Sequence, residues 1–294
     1  MLDLTQSILT SRLHDVLFVT LNRPATRHAL ASDMVQGLEA IAISAQSDAS
    51  LRAIVLRGTN HFFCAGGDVG SFQERLEDTT SDHDPVAMRN RKFGQFMERL
   101  GQIPVPVVAM VEGAAMGGGM GLACLSDIVL ATHSAKFVLS ETSLGIVPAQ
   151  IMPFVVDRIG VPASRRMGLT AERVSGELAV HLGLVDALAQ DSDALEILLA
   201  RWLTQICKCA PHANRVMKEM AVLATTESRT PFLDQAAHTF AATMRAEGMT
   251  GIASFRAREP APWCVNFQYD DIRQLYQEQG IPMLSTTVNA CIQN

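Results

Sequence analysis

No apolar run in this 294-residue chain reaches the roughly 18 residues that a membrane-spanning helix requires. The longest, Val105 to Val111 and Ile151 to Val156, are short and interrupted by proline, so a transmembrane reading has no support. Basic charge is also scarce. A net charge of −6 is the reverse of the basic face that a phosphate backbone selects, and DNA and RNA partners are discounted. Met1 opens neither a positively charged leader nor the apolar segment of a secretory signal. The six cysteines (Cys64, Cys124, Cys207, Cys209, Cys264 and Cys291) are scattered, so no disulfide framework is expected and a reducing cytoplasm fits. Metal-ligand spacing is missing too. Cys207-Lys-Cys209 has no matching Cys/His pair and falls on a helical apolar pattern, and the histidines form no nucleophile or ligand constellation. The absence of a Gly-x-Ser-x-Gly elbow leaves an α/β-hydrolase reading without support. No internal repeat or low-complexity segment is visible.

What is present is an alternation of apolar strand, turn and helix. Asp15 to Leu21, Leu51 to Leu56 and Pro104 to Val111 read as buried strands, with further short strands at Asp127 to Ala131 and Lys136 to Leu139. Amphipathic stretches from about Ser32 to Ser47 and Val86 to Leu100 read as helices, separated by a polar surface loop at Glu77 to Pro85. This pattern predicts an α/β layered domain over residues 1–190. From Asp191 strand signals fade. Helical ones follow at Leu195 to Ile206, Ala213 to Ala224, Phe232 to Ala246 and Gly251 to Arg258, predicting a helical region over 191–263 that covers the core or packs on another subunit. Residues 264–294 form an extension in which Tyr269 to Gln279 reads as a helix able to swap onto a neighbour.

Two glycine-bearing loops and one carboxylate carry the chemistry. Cys64-Ala-Gly-Gly-Asp68 follows a strand, and Gly117-Gly-Gly119 opens a helix through about Leu125. Gly67 thereby exposes an unshielded N–H, and Gly118 exposes another where the helix dipole adds positive potential. Two such donors suit a carbonyl oxygen on which negative charge develops. Glu141 is the candidate for proton chemistry. Taken singly, each glycine cluster reads as an ordinary tight turn, and a lone glutamate before an apolar stretch as a surface residue.

On these residues the chain resembles the crotonase superfamily, the enoyl-CoA hydratase/isomerase family. The resemblance runs from about Asp15 to Trp263. It rests on Leu21-Asn-Arg-Pro24, Arg27-His-Ala-Leu30, Phe63-Cys-Ala-Gly-Gly-Asp68, Val111-Glu-Gly-Ala-Ala-Met-Gly-Gly-Gly119, Ser126-Asp127, Glu141-Thr-Ser-Leu-Gly145, Leu182-Gly-Leu-Val185 and Glu247-Gly-Met-Thr-Gly-Ile252. It implies a spiral of ββα turns, acyl-CoA substrates, a homotrimer or hexamer, and a thioester oxyanion held by the Gly67 and Gly118 amides. Coenzyme A then enters as part of the substrate, with no metal and no separate cofactor. The resemblance further implies that the Asn22 to Ala29 loop and the Cys64, Ala65 and Gly66 backbone, beside Asp68, hold the adenine and pantetheine. Arg27 is the candidate at the phosphates, and His28 reads as a surface residue.

Hydratases of this family usually carry one glutamate three residues after the second oxyanion glycine and another twenty residues later. Here those positions hold Gly121 and Glu141. Glu141 is thus expected to be the general acid/base alone, a role compatible with hydration or with moving a proton between two carbons as an isomerase does. The stretch Leu144 to Phe154 resembles the hydratases of branched glutaconyl-CoA substrates, 3-methylglutaconyl-CoA and isohexenylglutaconyl-CoA. Leucine or acyclic terpene breakdown is the implied setting. A glycine at 121 is expected to make room for a second substrate carboxylate and to spare it repulsion from a fixed one. Gln150 and Phe154 are expected to line the acyl pocket, helix packing being the other reading. A catalytically silent scaffold that binds acyl-CoA is the alternative from outside catalysis.

Overall fold

A computed structural model describes residues 6–68 and 84–280. The main sheet runs in the order β1 (Ile8–Leu13), β2 (Val16–Leu21), β3 (Ala53–Gly58), β4 (Val107–Val111), β6 (Ile128–Thr132) and β9 (Ala187–Ala189). The β1–β2 pair is antiparallel and turns at His14 and Asp15, both at positive φ, while every later pairing is parallel. A smaller sheet joins β5 (Ala114–Met116), β7 (Lys136–Val138) and β8 (Val174–Ser175).

The helices on one side are α1 (Ser32–Ser47), α2 (Pro85–Gly101), α3 (Gly118–Leu125), α4 (Met152–Thr170) and α5 (Gly176–His181). Strand residues alternate between two cores. Ile54, Leu56, Val107, Ala109 and Val111 face these helices. Ala53, Val55, Val108 and Met110 face α6 (Ser192–Lys208) and α10 (Tyr269–Glu278) on the other side. A parallel sheet covered on both faces needs strands apolar throughout, which is why β3 and β4 are legible as continuous runs. Asp84 caps α2 by accepting from the Val86 and Ala87 N–H groups.

The composition break at 190 is therefore no packing boundary, since α6 supplies Leu195, Leu199 and Leu203 to the second core. Within the C-terminal extension, α10 docks on the sheet of its own chain through Ile272, Leu275 and Tyr276. Residues 281–294, and most of the surface loop expected at Glu77 to Pro85, lie outside the described residues. Between α6 and α10 come α7 (Pro211–Thr226), α8 (Arg229–Thr243) and α9 (Met249–Ala257), in which no residue is buried. No helix among the described residues is long and apolar enough to cross a membrane. Among the described residues, no group of three or more His, Cys, Asp or Glu side chains could hold a metal ion.

Candidate active site

The two glycine loops lie side by side. The Cys64 N–H donates to the Ala114 carbonyl at 3.0 Å, and the Met116 N–H donates back to the Cys64 carbonyl at 3.0 Å. The two segments thus run parallel, bridged at Cys64 and Ala115. Gly66 takes φ +92° and packs so closely that a Cβ there would stand 2.5 Å from the Met116 carbonyl oxygen and 3.1 Å from the Gly118 nitrogen. Only glycine meets both demands. Gly118 is the first residue of α3, so its N–H has no acceptor within the helix. No acceptor among the described residues takes the Gly67 N–H. The structure thus lays the loop that carries Gly67 against the start of α3, where Gly118 lies.

Glu141 begins a short helical turn, Glu141–Leu144, and its side chain reaches the residue that precedes α3. A Cβ on Gly117, which sits at φ +48°, would lie 2.8 Å from the Glu141 Oε1. The carboxylate therefore abuts the residue before Gly118. Its Oε2 is buried without a hydrogen-bond partner, and burial pushes the carboxyl above the ordinary glutamate range, opposed only in part by its own backbone N–H. A poorly solvated carboxylate next to a pair of open N–H donors can take a proton from water while the donors hold a carbonyl oxygen.

The walls are apolar, and the sequence gives little sign of them. A Cβ on Gly118 would meet Leu30 Cδ1 at 3.0 Å and Phe93 Cζ at 3.2 Å. Leu30 ends a motif already singled out, whereas Phe93 of α2 shows no local signal. At Gly121 the expectation fails. A Cβ there would stand 2.7 Å from Ile151 Cγ2 and 2.9 Å from Met97 Cε, so these two side chains fill the room assigned to a substrate carboxylate. Gln150 lies over Gly94 of α2, and its amide donates to Asn90 Oδ1 at 3.0 Å. Phe154 packs beside Gly101, at the far end of α2, which makes it a helix-packing residue.

The coenzyme-binding expectations divide. Arg27 is exposed at φ +50°, its guanidinium 5.7 Å from the Phe62 ring centroid. The Ala65 N–H donates to the Arg27 carbonyl at 2.9 Å, leaving the Ala65 carbonyl as the polar backbone group of that stretch with no donor among the described residues. The N–H and carbonyl groups of Cys64 and Gly66 are engaged within the chain, the Gly66 carbonyl by the Leu30 N–H at 2.7 Å. The Ala29 carbonyl likewise accepts from Arg23 Nη1 at 3.0 Å. Cys64, Gly66 and Ala29 therefore brace the scaffold through these hydrogen bonds. Burial lifts the Cys64 thiol to about 12, so it is no nucleophile. Asp68 stands 3.8 Å from Arg23, in a loop-bracing ion pair. His28 is fully buried, against expectation: its Nδ1 accepts from the Arg23 N–H and its Nε2 lies 2.9 Å from the Thr59 carbonyl. It ties the Asn22 to Ala29 loop to the end of β3.

Comparison with known proteins places this geometry. The profile of the enoyl-CoA hydratase/isomerase family matches residues 12–266. A crystal structure of an enoyl-CoA hydratase/isomerase from Marinobacter aquaeolei is 37% identical and superposes with a TM-score of 0.85 over 89% of this chain and 100% of that one. AtuE of Pseudomonas aeruginosa is 42% identical, with a TM-score of 0.84 over 88% of this chain and 100% of that one. Among curated relatives, the 2,3-dehydroadipyl-CoA hydratase of Escherichia coli K12 is 32% identical over 74% of this chain and 85% of its own length.

Proposed function

From the premise that this chain belongs to the enoyl-CoA hydratase/isomerase family and has its crotonase fold, we propose that it hydrates a branched, carboxylate-bearing enoyl-CoA of the 3-alkylglutaconyl class. The observation that carries this reading is the lone, partly buried Glu141 carboxylate against Gly117, with a glycine at 121 where a second carboxylate would otherwise stand. The thioester oxygen accepts from the Gly67 and Gly118 N–H groups, which stabilise the enolate as the double bond is consumed. Glu141 takes a proton from water as the water oxygen bonds to C3. The electron pair of the double bond moves into the enolate, and the same carboxyl returns the proton to C2. Each atom of water ends in the product, and no other group is required. Its raised pKa makes Glu141 a stronger base than an exposed glutamate and a competent acid afterwards.

Three considerations support a substrate with its own carboxylate. The segment Leu144 to Phe154 resembles that of glutaconyl-type hydratases. One relative is named for an adipyl thioester, an acyl group ending in a second carboxyl. A fixed anion at 121 would repel such a chain by several kcal/mol if both were poorly hydrated, roughly, on Coulomb grounds; the glycine there carries no such charge, and Ile151 and Met97 of the core fill the space beside it. Arg27 and the Ala65 carbonyl are the groups we assign to coenzyme A. The many exposed apolar side chains of α7 to α9, among them Phe240 and Phe255, fit assembly into a homotrimer or hexamer in a reducing cytoplasm.

A panel of acyl-CoA thioesters assayed by mass spectrometry for the gain of one water tests the reading. A 3-alkylglutaconyl-CoA should exceed crotonyl-CoA in kcat/KM by at least about tenfold, equivalent to ~1.4 kcal/mol. Equal use of crotonyl-CoA refutes the anionic-substrate argument. Rearrangement of the double bond without mass gain would make the protein an isomerase, and binding without turnover a scaffold.

A further inference from the structure

Beneath both amide-bearing loops lies a charged cluster that the proton chemistry leaves unused. His61 Nδ1 stands 3.0 Å from Glu112 Oε1, and Ser192 at the start of α6 donates to the same oxygen at 2.5 Å. Arg57, at the end of β3, has its guanidinium 3.9 Å from Glu112, 3.5 Å from Glu196 and 4.0 Å from the Tyr276 ring centroid. His61, Ser192 of α6 and Arg57 of β3 thus converge on one carboxylate. Burial pushes the Glu112 carboxyl up, yet the His61 and Ser192 hydrogen bonds and the Arg57 charge together outweigh it and hold it below the ordinary value.

The place of this contact in the chain gives it a use. His61 precedes Gly67 by six residues and Glu112 precedes Gly118 by six, and the two segments between run in parallel register with the Cys64–Ala115 bridge midway. The Phe63 N–H donates to the Glu112 carbonyl at 2.9 Å, and a Cβ on Gly113 would lie 2.5 Å from the His61 carbonyl oxygen. Backbone and side chains therefore join the segments at their bases, equally far from both amides.

We infer that His61 and Glu112, braced by Ser192, are positioning residues that set the separation of the Gly67 and Gly118 N–H groups. This rests on the oxyanion role proposed for those amides. A displaced donor weakens stabilisation of the developing charge more than it weakens binding of the neutral thioester, so the effect belongs in kcat. The latch should also titrate. The hydrogen bond to Glu112 raises His61 above the ordinary histidine range, against a lowering by burial; Arg57 lowers it and Glu196 raises it through their charges. A raised histidine pKa means that the charged latch is complete at and below about pH 6.5 and is lost as pH rises through the raised value.

His61 sits at φ +52°, a conformation that Asn and Asp tolerate, so His61→Asn and His61→Asp share shape and differ in whether a donor or a second carboxylate meets Glu112. The probe is carbonyl-labelled butyryl-CoA, which has no double bond to hydrate. Its thioester carbonyl is followed by vibrational difference spectroscopy on the full chain. We expect the bound carbonyl to be polarised in the native protein and in His61→Asn, and more than half of that shift to be lost in His61→Asp. On the best enoyl-CoA, His61→Asp should lower kcat by about tenfold, with KM within about twofold. Ser192→Ala should act in the same direction. Unchanged polarisation in both His61→Asp and Ser192→Ala overturns the latch alone. No polarisation in the native protein overturns the oxyanion reading and the latch with it. Equal changes in kcat and KM would assign the cluster to stability only.

Discussion

Gly121→Ala is the substitution whose cost the structure fixes best. The added methyl would lie 2.7 Å from Ile151 Cγ2, 3.1 Å from Ile151 Cβ and 2.9 Å from Met97 Cε. Met97 can swing its terminal methyl aside. Ile151 cannot: it is branched at Cβ, stiff about χ1 and 3% exposed, so its backbone must shift. In the middle of α3, alanine gains about 0.5–1 kcal/mol over glycine from chain entropy, whereas overpacking a filled core costs about 1–3 kcal/mol. The net destabilisation is about 1–2 kcal/mol, a fall of roughly 2–8 °C in melting temperature for a chain of this size. Ile151→Ala opens the space, so Gly121→Ala/Ile151→Ala should be more stable than the sum of the single variants by about 1 kcal/mol in a denaturation cycle. Additive effects, or a Gly121→Ala protein more stable than the parent, would refute the packing argument and restore an open pocket at 121.

Other outcomes follow from the same geometry. Gly118→Pro, at a first helical position where proline is tolerated, should remove one donor and slow turnover by about 10²–10³; an unaffected rate in steady-state assays would place the thioester oxygen elsewhere. Burial raises the Glu141 carboxyl, so the folded state binds its proton more tightly than the unfolded state. Stability is therefore lost as pH climbs above the ordinary glutamate value of about 4.3. Glu141→Gln should accordingly raise the melting temperature more at pH 8 than at pH 4, and an equal effect at both in calorimetry would contradict a buried anion. Tyr276→Ala should cost roughly 3–5 kcal/mol in urea denaturation, because its ring is buried over Arg57; a near-neutral effect would mean that α10 is not part of the core.

The central elements were legible because their neighbours demand one kind of residue. β2, β3 and β4 are covered on both faces, and their sequences are apolar except at Thr20 and Arg57 near the ends of β2 and β3. Edge strand β1, reading ILTSRL, mixes polar and apolar residues and gives no such run, while β8 and β9 are too short for a period to show. The long helix α4 is hidden by Gly160, at φ 72° and ψ 164°, and by Pro162 inside it, both of which break a helical pattern. Within the site, Gly67 and Gly118 sit at local signals, a strand end and a helix start, whereas Glu141, which read locally as a surface residue, stood out only by its position in the family motif. The failure at Gly121 is of another kind. Its occupants, Met97 and Ile151, come from 24 residues before it and 30 after it, and no local pattern reports which side chains a fold will bring to a glycine. Burial of His28 similarly depends on Thr59, at the end of another strand.

The direct test of the central claim is Glu141→Gln, which keeps the shape of the side chain and removes its basic oxygen. Incubated with 3-methylglutaconyl-CoA in ¹⁸O-labelled water, the native protein should add one labelled water to the thioester. The variant should bind the thioester with unchanged affinity by calorimetry and show no mass gain above the uncatalysed rate. Labelled product formed by Glu141→Gln at a near-native rate would contradict a mechanism with Glu141 as its only acid and base.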